Sequence, residues 1–377
     1  MKIAKPLCCA TVCAAALSAA IALGQAGQSA AHDPTPKTSF LVLSKQDHTL
    51  AIVDPATLRV VTRIPVGEDP HEVVASADGH TAYVSNYGFG RFNTISVVDL
   101  VAQEAEPRVD LGPLRGPHGL MFADGKVWFT AEAAKVIGRV DPGSRNVDWI
   151  MGTGQNRTHM IYVFPDAQKI LTTNVNSATV TILEHSDQPA GMPPGPPGGS
   201  ATPQWQGAGV PPPGMQGRVG GPPPGPAGGD WSETVIPVGR GSEGFDVTPD
   251  GKQAWVANAW DGTISVIDTA HKKVIATIQA NARGANRLKF TPDGKKALVS
   301  AGAELLVFDV ATQKEVKRLQ LGRGGGGGIL VQPDGQRAYV AFAQDGFVAV
   351  VDLNTLELVG KIDAGPNPDG LAWAAQR

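Results

Sequence analysis

TLAIVD (residues 49–54) recurs, with changes, six more times: TISVVD (94–99), KVIGRVD (135–141), TVTILE (179–184), TISVID (263–268), LLVFD (305–309) and VAVVD (348–352). Each is a β-branched run that stops on a carboxylate. The stops are Asp54, Asp99, Asp141, Glu184, Asp268, Asp309 and Asp352, in steps of 45, 42, 43, 84, 41 and 43 residues. Runs of this kind read as short strands.

Other units return in a constant order around each run. A strand such as AYVSN (82–86), AWVAN (254–258) or AYVAF (338–342) precedes it. A strand such as VVTRIPVG (60–67) or KVIATIQA (273–280) follows it. The last unit ends in a turn, as in VVASADG (73–79), LKFTPDG (288–294) and ILVQPDG (329–335). The Asp-Gly pairs at Asp78, Asp124, Asp250, Asp293 and Asp334 suit hairpin turns, where glycine accepts positive φ. Four short strands every 41–45 residues is the period of a propeller blade. Seven copies predict an all-β, seven-bladed β-propeller of four-stranded antiparallel blades over residues 40–377.

The double step has a compositional cause. Residues 187–230 hold 13 Pro and 13 Gly among 44 positions, including PPGPPGG, VPPPGM and GPPPGPAGG. Such a stretch cannot bury enough apolar surface to offset its ordering entropy, so it reads as a disordered insert within blade 4. Its proline runs could dock on an aromatic groove, or it could be a tolerated loop insertion. The whole chain has 46 Gly and 30 Pro in 377 residues, without the three-residue period of collagen. With 42% hydrophobic residues it is not a disordered chain.

Residues 1–31 read as an export signal: Lys2 and Lys5, an apolar stretch Leu7 to Leu23, then Ser29-Ala30-Ala31. The stretch is 17 residues, short of the roughly 20 a membrane span needs. Cleavage after Ala31, or after Ala26, would leave a chain with no transmembrane segment. Residues 32–39 then form a linker. Cys8, Cys9 and Cys13 all lie within the signal, so the mature chain has no disulfide and no thiol chemistry. The expected place is the periplasm or the exterior. The mature net charge of −5 gives no ground for nucleic-acid binding.

AYVSN, TISVVD, IPVGEDPHEV and SADG together resemble the YVTN-type β-propeller repeat, and the resemblance covers residues 40–376 apart from the insert. The Val-Asp endings and the lack of Trp-Asp pairs set it apart from WD40 blades. The wider group of similar propellers includes surface-layer and periplasmic binding proteins, haem d1 domains, amine dehydrogenase heavy chains and lactone hydrolases. In such propellers the strand that ends on Asp-Gly is innermost. The chain therefore begins on a second strand, FLVLS (40–44), and ends on an innermost one, DGLAWAA (369–375). The resemblance implies that the carboxyl-terminal strand completes the first blade. That removes open sheet edges. It also puts loops entering the innermost strands on one face, called upper, and the insert on the lower.

Aligning the seven copies on the Asp-Gly turn and taking the position about seven residues before it gives His71, His118, His159, Glu243, Asn286, Gly327 and Asp369 in ring order. Equivalent positions of a repeat share one mouth. His71, His118, His159 and Glu243 form a candidate metal set. They can equally be turn residues, since His71 and His118 each follow a proline. Arg115, Arg157, Arg240, Arg283 and Arg323 lie two to four residues upstream on five entering loops, and favour a small anionic ligand. Trp260, beside Asp261-Gly262, is a candidate contact at a hairpin tip. Gly324–Gly328 reads as a lateral notch or as repeat slippage.

The sequence shows no G-x-S-x-G elbow, no phosphate loop ending in Gly-Lys-Ser/Thr and no C-x-x-C-H haem site. The first expectation is an exported ligand-binding or protein-interaction scaffold. The alternatives are a lactone-type hydrolase, with arginines holding carboxylate and a histidine or Glu243 acting on water, and a protein with a metal or haem-type cofactor. Catalytic residues stay unassigned.

Overall fold

The computed structural model describes residues 34–186 and 230–377. The expected signal, residues 1–31, and the Gly/Pro stretch up to residue 229 lie outside the described residues. The described residues form 28 strands in seven antiparallel sheets of four strands each. The first strand, Thr38–Ser44, starts two residues earlier than FLVLS. The innermost strands of blades 2 to 7 begin at Pro70, Pro117, Thr158, Ser242, Ala285 and Gly326. No helix among the described residues is long and apolar enough to cross a membrane.

Each feature of the repeat has a local cause. The terminal carboxylate accepts backbone N–H bonds from the next turn: Asp54 from Ala56 (2.9 Å), Asp99 from Val101 and Ala102 (both 2.8 Å), Asp352 from Asn354 and Thr355 (both 2.9 Å). These bonds replace partners that a tight turn denies its own backbone. Glu184 stands where the insert leaves, and pairs instead with Lys169 (2.9 Å) and Lys272.

Seven hydrophobic clusters fill the seven gaps between neighbouring blades. Strand alternation sends successive side chains to opposite faces, so each blade feeds two gaps. Phe40 of blade 1 stacks on Tyr339 of blade 7 at 4.3 Å.

The ring closes as the repeat order implies. The last strand, Pro368–Ala375, pairs antiparallel with Thr38–Ser44, in the register Phe40↔Trp373, Leu41↔Ala372 and Val42↔Leu371. The insert joins the third strand of blade 4, Thr179–Ser186, to its outer strand, Asp230–Pro237. Ser186 and Asp230 face each other, so the 43 intervening residues leave and return at one point.

Candidate functional site

His71, His118, His159, Glu243, Asn286, Gly327 and Asp369 each occupy the second position of an innermost strand, so the repeat alignment does gather them at one mouth. Two devices hold these positions. A hydroxyl on the second strand of the preceding blade donates to the backbone carbonyl of the ring residue. The pairs are Ser85 to His118 (2.8 Å), Thr130 to His159 (2.6 Å), Thr173 to Glu243 (2.7 Å) and Ser300 to Gly327 (2.8 Å). A glycine after the ring residue then lets the next blade close in. A Cβ at Gly119 would stand 2.5 Å from the His159 carbonyl oxygen, and one at Gly370 would stand 2.5 Å from that of His71.

The same device revises the glycine run. Cβ atoms at Gly327 and Gly328 would meet Asp369 at 2.9 and 2.3 Å, and Gly326 to Gly328 are buried. At Gly327 and Gly328 this is a tight seam between blades 7 and 1 rather than a lateral notch, and the close approach requires glycine at those two positions.

Three histidine rings lie in series. His118 is wholly buried, with its ring centroid 4.3 Å from His71 and 3.8 Å from His159. Tyr87 meets His118 edge-on at 5.0 Å. Neither ring nitrogen of His118 has a hydrogen-bond partner. His159 Nδ1 is 2.5 Å from Glu132 Oε1, and its Nε2 is 2.6 Å from Glu243 Oε2, off the line of a good hydrogen bond. Arg157 reaches Glu243 (3.1 Å) and Glu132 (3.3 Å), and the Tyr87 hydroxyl donates to Glu132. On the other side of the mouth Lys45 Nζ donates to His71 Nδ1 (2.6 Å) and pairs with Asp69 (3.4 Å) and Asp369 (3.3 Å). Below, Arg287 of blade 6 crosses to Glu72 of blade 2 and also donates to Asn286 Oδ1 (2.8 Å). A channel of about 390 Å³ continues beneath this pair, lined by Val74, Phe122, Tyr162, Leu330 and Trp373 among others.

These neighbours set the charge states. Burial pushes His118 well below the usual histidine range, and the cations around it push the same way. Burial also lowers His71, to about 4, with Lys45 and Arg287 adding to the effect and Asp369 opposing it. Burial opposes charge on His159 too, but Glu243 and Glu132 outweigh it and raise that group. Burial would raise Glu243, yet His159 and Arg157 hold it down at about 2. Glu132 and Asp369 are likewise lowered against burial.

Acidification should therefore weaken the ligand-free protein. A buried neutral histidine with a depressed folded value leaves the unfolded chain to take up protons first. Its contribution is present above about pH 6.5 and is lost down to the folded value. For His71 that loss is on the order of 3 kcal/mol by about pH 4. The lowered carboxylates act later, below about pH 4.5. His159 acts in reverse, its contribution being full below about pH 6.5 and lost as pH rises through its raised value. Urea midpoints should fall from pH 6.5 to 4; a flat midpoint over that interval would contradict the assigned charge states.

The five entering-loop arginines do not act together. Only Arg157 joins the buried network. Arg240 pairs with Asp261 (2.8 Å) and Arg323 with Asp345 (2.7 Å), each on an exposed hairpin of its own blade. Arg115 donates to the Arg91 carbonyl (2.9 Å), and Arg283 is exposed. Trp260 is 49% exposed and lies against Gly241. The asparagines Asn86, Asn174 and Asn258 are buried hairpin clamps; Asn86, for example, donates to Thr94 (2.9 Å) and Ser96 (3.0 Å).

Glu132, Lys45, Glu72 and Arg287 escaped the sequence reading. Lys45, Tyr87 and Glu132 each follow the end of a second strand in blades 1, 2 and 3. Glu72 and Arg287 share the third innermost position, which is glycine at 119, 244, 328 and 370. Aligning the copies at these two further positions would have found all four.

The fold defines the class: a seven-bladed all-β propeller. No protein-family model matches the chain, and no curated protein matches it. Solved structures do. A functionally unknown protein from Desulfotomaculum acetoxidans is similar at TM-score 0.68, with 12% identity over 90% of this chain and 99% of that one. Dihydro-haem d1 dehydrogenase NirN in complex with DHE is similar at 0.57, with 16% identity over 90% of this chain and 75% of that one. A candidate 6-phosphogluconolactonase from Bacteroides uniformis is similar at 0.65, with 14% identity over 89% and 99%. At such identities the likeness shows the fold alone.

Proposed function

We propose that this is an exported binding propeller of the YVTN type whose ligand sits at the upper mouth and carries positive charge. The carrying observation is the charge count. Among the described residues, Asp69, Glu72, Glu132, Glu243 and Asp369 face only Lys45, Arg157 and Arg287 as fixed cations, and each of these cations is already paired with a carboxylate. Even with His159 protonated the cluster is net acidic. An anionic ligand would meet excess like charge in a low-dielectric setting, whereas a cation would relieve it. A haem-type macrocycle does not fit these residues. Axial ligation needs an imidazole lone pair facing open space: His118 is enclosed by His71, His159 and Tyr87, the lone pair of His71 Nδ1 takes a Lys45 N–H, and both nitrogens of His159 lie against carboxylates.

Calorimetric titration with a divalent metal salt, a diamine and a dicarboxylate tests the reading. A cation should bind, and Glu243→Gln should weaken it at least about tenfold by removing one carboxylate. Preferential binding of the dicarboxylate would overturn the reading. The lactone-hydrolase alternative predicts turnover of a lactone panel that is lost in Glu243→Gln. Export predicts a mature amino terminus at His32.

A further inference from the structure

The geometry points to a divalent transition-metal site built by His118, Glu132 and His159. This rests on the reading of the mouth as a cation site and names the cation.

The ligand atoms of these three buried residues lie within 4.8 Å of one another. With metal–N and metal–O bonds of about 2.0–2.2 Å, tetrahedral donors stand about 3.4 Å apart, so the widest of these separations closes by up to about 1.4 Å when a metal binds. The decisive group is His118. Its side chain is fully buried and neither ring nitrogen has a partner. An orphaned polar group of this kind costs free energy unless something absent from the polypeptide satisfies it. A neutral imidazole with a free lone pair, beside a carboxylate and a second imidazole, is a donor set for first-row transition metals rather than for calcium or magnesium.

The surroundings have the form of a supporting shell. Ligand histidines usually give their second ring N–H to a carboxylate, which sets the tautomer. His159 is close to that arrangement: Nδ1 lies on Glu132, and Nε2 lies 2.6 Å from Glu243, which a small turn of the ring would bring onto the hydrogen-bond line. A metal at Nδ1 would take the place of the proton shared with Glu132 and leave Nε2–H directed at Glu243. Glu132 is itself held by the Tyr87 hydroxyl and by Arg157. His71 is outside the set. Lys45 donates to its Nδ1, so its remaining proton sits on Nε2 and no lone pair is left. The four-residue set expected from the ring position thus changes: Glu132 replaces His71 as a ligand, and Glu243 becomes the orienting carboxylate.

The test uses metal-stripped protein, Zn²⁺ by calorimetry with Mg²⁺ as control, and Cu²⁺ by electron paramagnetic resonance. One equivalent of Zn²⁺ should bind, with no comparable Mg²⁺ binding. The Cu²⁺ spectrum should carry hyperfine splitting from two imidazole nitrogens. His118→Ala should lower Zn²⁺ affinity about a hundredfold or more and remove one nitrogen from the spectrum. Glu132→Gln, nearly isosteric, guards against misfolding of the alanine variant and should also lose at least about tenfold. His271→Ala, on an exposed turn, should change neither. Zn²⁺ binding no tighter than Mg²⁺, or unchanged in both site variants, would overturn the metal assignment. Retained, Glu243-dependent binding of the diamine would in that case leave the cationic-ligand reading standing. Loss of both would remove it as well.

Discussion

Removing residues 366–377 is expected to give a chain that aggregates and shows no cooperative melting. The last strand is the innermost strand of the first blade, yet it lies the whole length of the chain away from its partner. Its loss would bare the edge of Thr38–Ser44, where Phe40, Leu41, Val42 and Leu43 are all fully buried. An open apolar edge is a template for pairing with another chain. The deletion also removes Ala372 and Ala374 from the cluster between blades 1 and 2, and Leu371 and Trp373 from the packing between blades 7 and 1. No cysteine follows Cys13, so no disulfide can substitute for strand pairing here. Size-exclusion chromatography and thermal melting of the truncated chain would decide. A soluble monomer with unchanged melting would refute closure by this strand.

Arg287→Met is expected to be the most damaging single substitution at the mouth. Arg287 is 4% exposed, and its pairing with Glu72 joins blades 2 and 6 across the top of the channel. Taking away the guanidinium leaves Glu72 charged, largely buried and without its partner. Breaking a buried pair from one side costs about 3–5 kcal/mol. For a domain of this size that lowers Tm by roughly 5–8 °C. The double variant Glu72→Met/Arg287→Met should recover most of the loss, because an apolar replacement of both partners removes the desolvation cost along with the attraction. Thermal melts of the wild type, both single variants and the double form a complete cycle. An unchanged Tm in Arg287→Met, or a double variant no better than the single, would show that the pair contributes nothing across the channel.

Much of this protein was legible because a repeat makes equivalent residues coincide. The spacing of Asp54, Asp99 and Asp141 implied blades, since the carboxylate caps the same turn each time. His71, His118 and His159 fell on one position and do meet, because strand periodicity alone carries that position to one mouth. The arginine ring failed for the complementary reason. Its members stand at unequal offsets on irregular loops, and each exposed guanidinium takes what its own hairpin offers, as Arg240 takes Asp261 and Arg323 takes Asp345.

The sequence by itself thus determined the blade count and which positions coincide from blade to blade, both consequences of local hydrogen bonding and strand alternation, while the closing strand and the mouth-lining face followed from the resemblance to known propellers. Which side chains meet across the channel was decided only by the tertiary structure. Glu132 meets His159 from the neighbouring blade, and Arg287 reaches Glu72 from three blades away. Such pairings depend on side-chain length, on how closely the blades approach and on where burial leaves a charge without water. None of these has a period along the chain. They put carboxylates among the mouth-lining residues where the sequence suggested a ring of arginines, and left His118 as the single buried ring in the mouth with both nitrogens unpartnered among the described residues.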